Sequence, residues 1–114
     1  MATQQAVIAN NSNQTQLITW NALGNADVGN GVDTSQYPDR TFVVQGTFGG
    51  ATVVFEGSMD GGTTWFTLHD FLGNLMSYTS AAIALVAENP GLVRPHSSGG
   101  SGSSINCYVQ AAQA

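Results

Sequence analysis

Apolar and polar residues alternate with a period of two along much of this chain, the spacing of half-buried strands. In Ser104–Ala111 the alternation puts Ile105, Cys107 and Val109 on one side and Asn106, Tyr108 and Gln110 on the other. In Ala51–Ser58 it sets Val53 and Phe55 against Thr52, Val54 and Glu56. In Thr63–Leu68 it places Phe66 and Leu68 together, opposite Trp65. Runs rich in Val, Phe, Thr, Trp and Tyr are separated by Gly, Asn and Ser clusters every 8–12 residues or so, as in all-β chains.

The pattern predicts strands over Gln5–Ala9, Gln14–Trp20, Arg40–Phe48, Ala51–Ser58, Thr63–Leu68, Leu75–Ser80, Leu92–His96 and Ser104–Ala111. Asn10–Asn13 reads as the turn joining the first two. Gly49-Gly50 tolerates positive φ at both positions and suits a two-residue hairpin turn. Asn21–Gln36, full of Gly, Asn and Asp, reads as a long surface loop, and Ser97–Ser103 as a shorter flexible one. Ala81–Glu88 is ambiguous. Its alanines suit a helix of barely two turns, which Asn89-Pro90-Gly91 would end. About eight strands, each with one apolar side, pack most simply as two sheets. The expected fold is therefore all-β. It is one antiparallel β-sandwich domain over residues 1–114, of jelly-roll or immunoglobulin-like type. Residues 1–9 are expected as an extended N-terminal arm.

Composition narrows what such a domain can do. Charged residues are 8% of the chain, against about 25% in an average soluble domain. There is no lysine, and Arg40 and Arg94 are the only basic side chains beside seven acidic ones. Two distant arginines make no phosphate-binding stripe and no polybasic membrane anchor. The apolar runs fall far short of the roughly 20 residues of a membrane-spanning helix. The first residues have neither the basic nor the apolar region of a signal peptide. Nucleic acid and membrane are thus not expected partners. Ser, Thr, Asn and Gln make up 38 of the 114 residues, so the exterior is polar but neutral. Lys and Glu, whose flexible side chains are depleted at protein interfaces, are almost missing, which points to a subunit packed against neighbours.

The sharpest motif is Ser58-Met59-Asp60-Gly61-Gly62-Thr63-Thr64-Trp65, which matches the Asp-box pattern S-x-D-x-G-x-T-W. It resembles the hairpin turns of sialidases and other propeller proteins. An Asp carboxylate can accept several backbone N–H groups across such a turn. Gly62 supplies positive φ, and Trp65 packs over the hairpin. Ser58, Asp60, Gly62, Thr64 and Trp65 are therefore assigned a structural role. A propeller would carry several boxes, and a sialidase needs three arginines.

No catalytic constellation emerges, and an enzyme is not expected. No serine lies in a G-x-S-x-G elbow. Cys107 falls mid-strand on the inward side and reads as a buried, inert thiol that cannot form an internal disulfide. His69 and His96 stand alone, without further ligands at metal-site spacing. Asp27, Asn30 and Asp33 place oxygen donors in a Gly-rich loop, but not at EF-hand spacing, and such residues are also ordinary loop chemistry. No metal or cofactor is assigned. Trp20, Tyr37, Tyr78 and Tyr108 are candidates to line a sugar-binding face, although aromatics more often serve a core or an interface.

Gln45–His96 resembles small virion proteins of tailed bacteriophages. The likeness rests on the GTFGGATV stretch, the S-x-DGGT-x-W turn, the D-x-x-G-N segment at Asp70–Asn74, and E-N-P-x-x-x-R-P at Glu88–Pro95. The Gly/Ser-rich stretch before the last strand also fits. The resemblance covers about half the chain and not the first 40 residues. It implies a non-enzymatic structural component, and within that group a head decoration (cement) protein. Such a protein is made in the host cytoplasm and sits on the capsid exterior. Its partners would be the major capsid protein and copies of itself, as a dimer or trimer. A tail, neck or fibre component and a carbohydrate-binding module are the competing expectations. Candidate interface residues are Ala2, Gln5 and Val7 in the N-terminal segment, and Asp27, Asn30, Asp33 and Tyr37 in and beside the long loop.

Overall fold

A computed structural model of the chain describes residues 3–12 and 15–112. The turn expected at Asn10–Asn13 and the strand start at Gln14 therefore lie partly outside the described residues. Every regular element among the described residues is a strand. In chain order these are β1 (Thr3–Gln4), β2 (Val7–Ser12), β3 (Thr15–Leu23), β4 (Val28–Gly29), β5 (Asp39–Thr47), β6 (Thr52–Ser58), β7 (Phe66–Thr67), β8 (Ser77–Tyr78), β9 (Ala82–Leu85), β10 (Leu92–Ser98) and β11 (Ser104–Ala112).

They form two sheets. One runs β1-β4-β10-β6-β7, with β8 also on β6, and the other runs β2-β3-β11-β5-β9. All pairings are antiparallel except β1 with β4, where Thr3 lies opposite Val28 and Gln4 opposite Gly29. The central strands β10 and β11 follow each other in sequence yet sit in different sheets.

The core lies between the sheets. Ile105, Cys107 and Val109 of β11 are fully buried, as are Ile18 and Trp20 of β3. From β6, Val53 and Phe55 meet them across the gap. Phe42 and Phe55 join the sheets edge to face, with ring centroids 4.7 Å apart, a favoured aromatic geometry.

Three expectations are corrected. The stretch Ala81–Glu88 holds no helix; Ala82–Leu85 pairs with β5, with Ala84 opposite Phe42. Its alternation puts Ala82 and Ala84 toward the core and leaves Ile83 and Leu85 exposed. The small inward residues let this strand lie close against the core.

Gly49 and Gly50 do take positive φ, 59° and 86°, and Ala51 N–H bonds Phe48 O at 2.9 Å. The turn is tight, yet β5 and β6 leave it into different sheets, so no hairpin ladder forms. The turn serves as a corner of the sandwich.

Asn21–Gln36 is more than a surface loop. β3 runs on to Leu23, β4 lies within the stretch, and Val28, Val32 and Thr34 are buried. A Cβ on Gly29 would fall 2.6 Å from both Pro95 and the Trp20 ring. That close approach explains a glycine here without appeal to φ. Val93 N–H bonds Val32 O at 2.9 Å, and Ser97 N–H bonds Asp27 O at 2.9 Å. Pro95, midway between them, has no N–H to give, and its ring packs on Gly29 instead.

Two smaller differences follow from the same packing. Leu68 is buried, but Phe66 is 67% exposed; of the predicted Thr63–Leu68 strand, Phe66–Thr67 pairs with β6 and Leu68 N–H bonds Phe55 O at 2.9 Å. At the far end of β3, Ala22 adopts φ 57° in a bulge opposite β11. Its N–H is taken by Asn106 Oδ1 at 2.9 Å.

Candidate functional site

The turn between β6 and β7 is built around one carboxylate. Asp60 Oδ1 accepts the Ser58 hydroxyl at 2.8 Å, Thr63 N–H at 3.1 Å and Thr64 N–H at 2.8 Å. Ser58 Oγ in turn accepts Gly62 N–H at 2.9 Å. Gly62 sits at φ 98°, a conformation that L side chains rarely adopt. Its carbonyl accepts the Trp65 indole N–H at 3.0 Å. Bonds to the ionised form, above all from the Thr64 N–H and then from Ser58, pull the Asp60 carboxyl down to about 2. The Trp65 ring is covered by the Arg94 guanidinium, whose Nε bonds Glu56 Oε1 at 2.9 Å. Ser58, Asp60, Gly62, Thr64 and Trp65 are thus brought together in one closed network. Its groups bond one another rather than facing an open cleft.

The candidate interface residues divide. Ala2 lies outside the described residues. Gln5 and Val7 are exposed. Residues 3–9, expected as an arm, lie on their own chain. β1 pairs with β4 in one sheet and β2 with β3 in the other. Asn30 fastens this segment: its Oδ1 accepts Ala6 N–H at 2.6 Å, and its backbone O accepts the Trp20 indole N–H at 3.0 Å. Asp27 Oδ2 accepts Gly24 N–H at 2.7 Å and Gln4 Nε2–H at 3.1 Å. Asp33 is exposed and closes a local turn, accepting Ser35 N–H and its hydroxyl. Those bonds from Ser35 hold the Asp33 carboxyl below its usual value. Tyr37 is buried in the core cluster.

The remaining candidate groups are also engaged. His69 Nδ1 and Glu88 Oε2 lie 2.6 Å apart, and Glu88 Oε1 accepts His69 N–H at 2.7 Å. Burial would raise the Glu88 carboxyl, but the His69 bonds outweigh it and the group ends up lowered. Cys107 is buried, and desolvation lifts its thiol to about 12. Among the described residues, no three His, Cys, Asp or Glu side chains converge as metal ligands would. No helix there is long and apolar enough to cross a membrane.

The four candidate sugar-binding aromatics do not share one surface. Trp20 and Tyr37 are in the core, Tyr78 packs edge-on against Phe55, and Tyr108 lies on the outer face of the other sheet.

Arg40 was missed by sequence reasoning as an inward-facing residue. It is 3% exposed, and its Nη2 donates to Glu88 O. Burial lowers its pKa against the opposing pull of Glu88. The signal was present, since Arg40 shares the parity of Phe42 and Val44 in β5.

Among the described residues, eight of the nine charged side chains accept or donate a hydrogen bond within the chain. No protein-family model and no curated protein sequence matches the chain.

Proposed function

We propose that this is a non-enzymatic structural protein of a phage particle, a decoration (cement) subunit on the capsid exterior. The observation that carries the reading is the tying of almost every charge into local structure, which leaves few free charges on an exterior that is mostly uncharged and polar. Its polar side chains are short and cost little entropy to pack against neighbours. The bacteriophage-like motifs of Gln45–His96 point the same way.

The strand order supports a finer fold assignment. Eight strands interleave as β3-β11-β5-β9 and β4-β10-β6-β8, with successive strands crossing from one sheet to the other except between β6 and β8, which lie in the same sheet. We read this as a jelly roll, an architecture shared by capsid and lectin domains. Fold alone does not decide between those roles. The dispersal of Trp20, Tyr37, Tyr78 and Tyr108 favours the capsid.

Purified heads lacking the protein test the proposal. Added recombinant protein should bind them and raise their resistance to heat or chaotrope. Heads that neither bind it nor gain stability would refute it. Immunogold label at the tail would instead assign a tail, neck or fibre role. Glycan-array signals lost on Trp65→Ala or Tyr78→Ala would assign a carbohydrate-binding module.

A further inference from the structure

We infer that the outer face of the five-stranded sheet is the surface through which two copies of this chain associate, face to face about a two-fold axis along β11. Val7 lies opposite Thr19, Thr19 opposite Tyr108, Tyr108 opposite Val43, and Val43 opposite Ile83. These five residues form one row across the whole sheet. The next row runs Ala9, Leu17, Gln110, Thr41 and Leu85. In an isolated sandwich an outward face is expected to be polar. Here Ile83 is 70% exposed, Val7 59% and Leu85 45%.

Charge separates this face from the opposite one. The two rows contain no ionisable group other than the Tyr108 phenol, and Asp39 stands only at the end of β5. The outer side of the other sheet carries Glu56, Arg94 and His96. Two copies with net charge −5 each repel through their acidic loops, and the neutral face is where they can meet without like charges opposed.

Area is the third observation. The five strands hold 6, 9, 9, 9 and 4 residues. At about 3.4 Å per residue and 4.8 Å between strands, the face covers roughly 600 Å². A standard interface takes about 800 Å² from each partner, and incidental contacts less than about 400 Å². With its rim, the face is large enough for a dimer.

The arrangement is self-complementary. β11 is the middle strand, so an axis along it places Ile83 over Val7 of the partner subunit, apolar on apolar, and Tyr108 beside its own copy. The second copy is thereby chosen over an unrelated partner. This deepens the self-assembly half of the reading above and rests on that reading only for its biological setting.

Sedimentation equilibrium on the isolated protein tests it. The wild type should show about twice its 11.8 kDa monomer mass at micromolar concentration. Ile83→Lys and Val7→Lys should each weaken association roughly tenfold or more. Phe66→Lys, equally exposed but off this face, should change nothing. Tyr108→Cys should cross-link to its own copy with a short bis-maleimide, Cys107 being buried and inert. That result decides even if a lysine variant fails to fold. A monomeric wild type, association indifferent to both lysines, or no cross-link at Tyr108→Cys overturns the inference. A dimer that fails to bind heads keeps it and removes the capsid reading; a monomer that decorates heads does the reverse.

Discussion

The Arg94 guanidinium stands 3.9 Å from the centre of the Trp65 ring while its Nε holds Glu56 at 2.9 Å. One side chain thus joins the turn between β6 and β7 to the face of the central strand β10. Glu56 is only 14% exposed, and removing Arg94 leaves its poorly solvated carboxylate with His96 Nδ1, at 3.4 Å, as the remaining partner. Arg94→Ala should cost about 1–3 kcal/mol in urea unfolding, from the lost cation–π contact and the lost charge-assisted bond to Glu56. Trp65→Ala in the same cycle should show coupling of about 1 kcal/mol. Additive losses would mean that the stacked geometry carries no energy.

Asp60 makes the turn sensitive to acid. Its folded pKa of about 2 lies below the ordinary value of 3.8, so ionisation favours the folded state. That contribution is complete above about pH 4 and is lost as pH falls through about 2. Thermal melts should show the wild type losing stability across this window. Asp60→Asn should start less stable at pH 7 and flatten that part of the profile. An unchanged profile would contradict the bonding described for Thr63, Thr64 and Ser58.

Asn30 should hold the N-terminal strands in place. Asn30→Ala deprives Ala6 N–H of its acceptor and should cost about 1–2 kcal/mol. Hydrogen exchange should quicken over residues 3–9 while β11 stays protected, because the core between the sheets is untouched. Uniform loss of protection would instead make this corner part of the global folding unit.

Cys107 should resist alkylation in the native protein at pH 8 and react fully in guanidinium. Its thiol sits near 12 against an ordinary 9, so the neutral form is favoured by folding. Stability tied to this group is complete below pH 9 and is lost as pH rises toward 12. Rapid native modification would mean that β11 opens readily.

If the neutral exterior governs attachment, binding to heads should depend weakly on salt, since few charges are there to be screened. Affinity measured from 50 to 500 mM NaCl should change by less than about tenfold. A steep decline would require a charged interface that the free side chains do not supply.

The two-residue period found the strands that bury one side completely, such as β11 with Ile105, Cys107 and Val109. The S-x-D-x-G-x-T-W motif located the turn at Ser58–Trp65, whose bonds are nearly all local. Sequence pattern failed where partners are distant in sequence. The pairing of β1 with β4 depends on Asn30 and Gly29, neither of which looks like a strand residue. β9 misled because its outward residues, Ile83 and Leu85, are its largest, so the inward alanines resembled a helix. Gly49-Gly50 specified a tight turn but not the sheets its strands would join. Arg40 was hidden by its charge, which ordinarily signals an outward position. The candidate interface residues were chosen for lacking core character, yet Asn30 and Asp27 serve the sandwich itself and Tyr37 lies within it.

The placement of β10 and β11 has a consequence for biosynthesis. The middle strand of each sheet is the last strand of that sheet to leave the ribosome. Until residue 98 emerges, β4 and β6 have no strand between them, and until residue 112 emerges neither have β3 and β5. The nascent chain must therefore keep four unmatched strand edges in solution until translation has nearly passed the whole sandwich. Its lack of long apolar runs and its abundance of Asn, Gln, Ser and Thr suit a chain that has to wait.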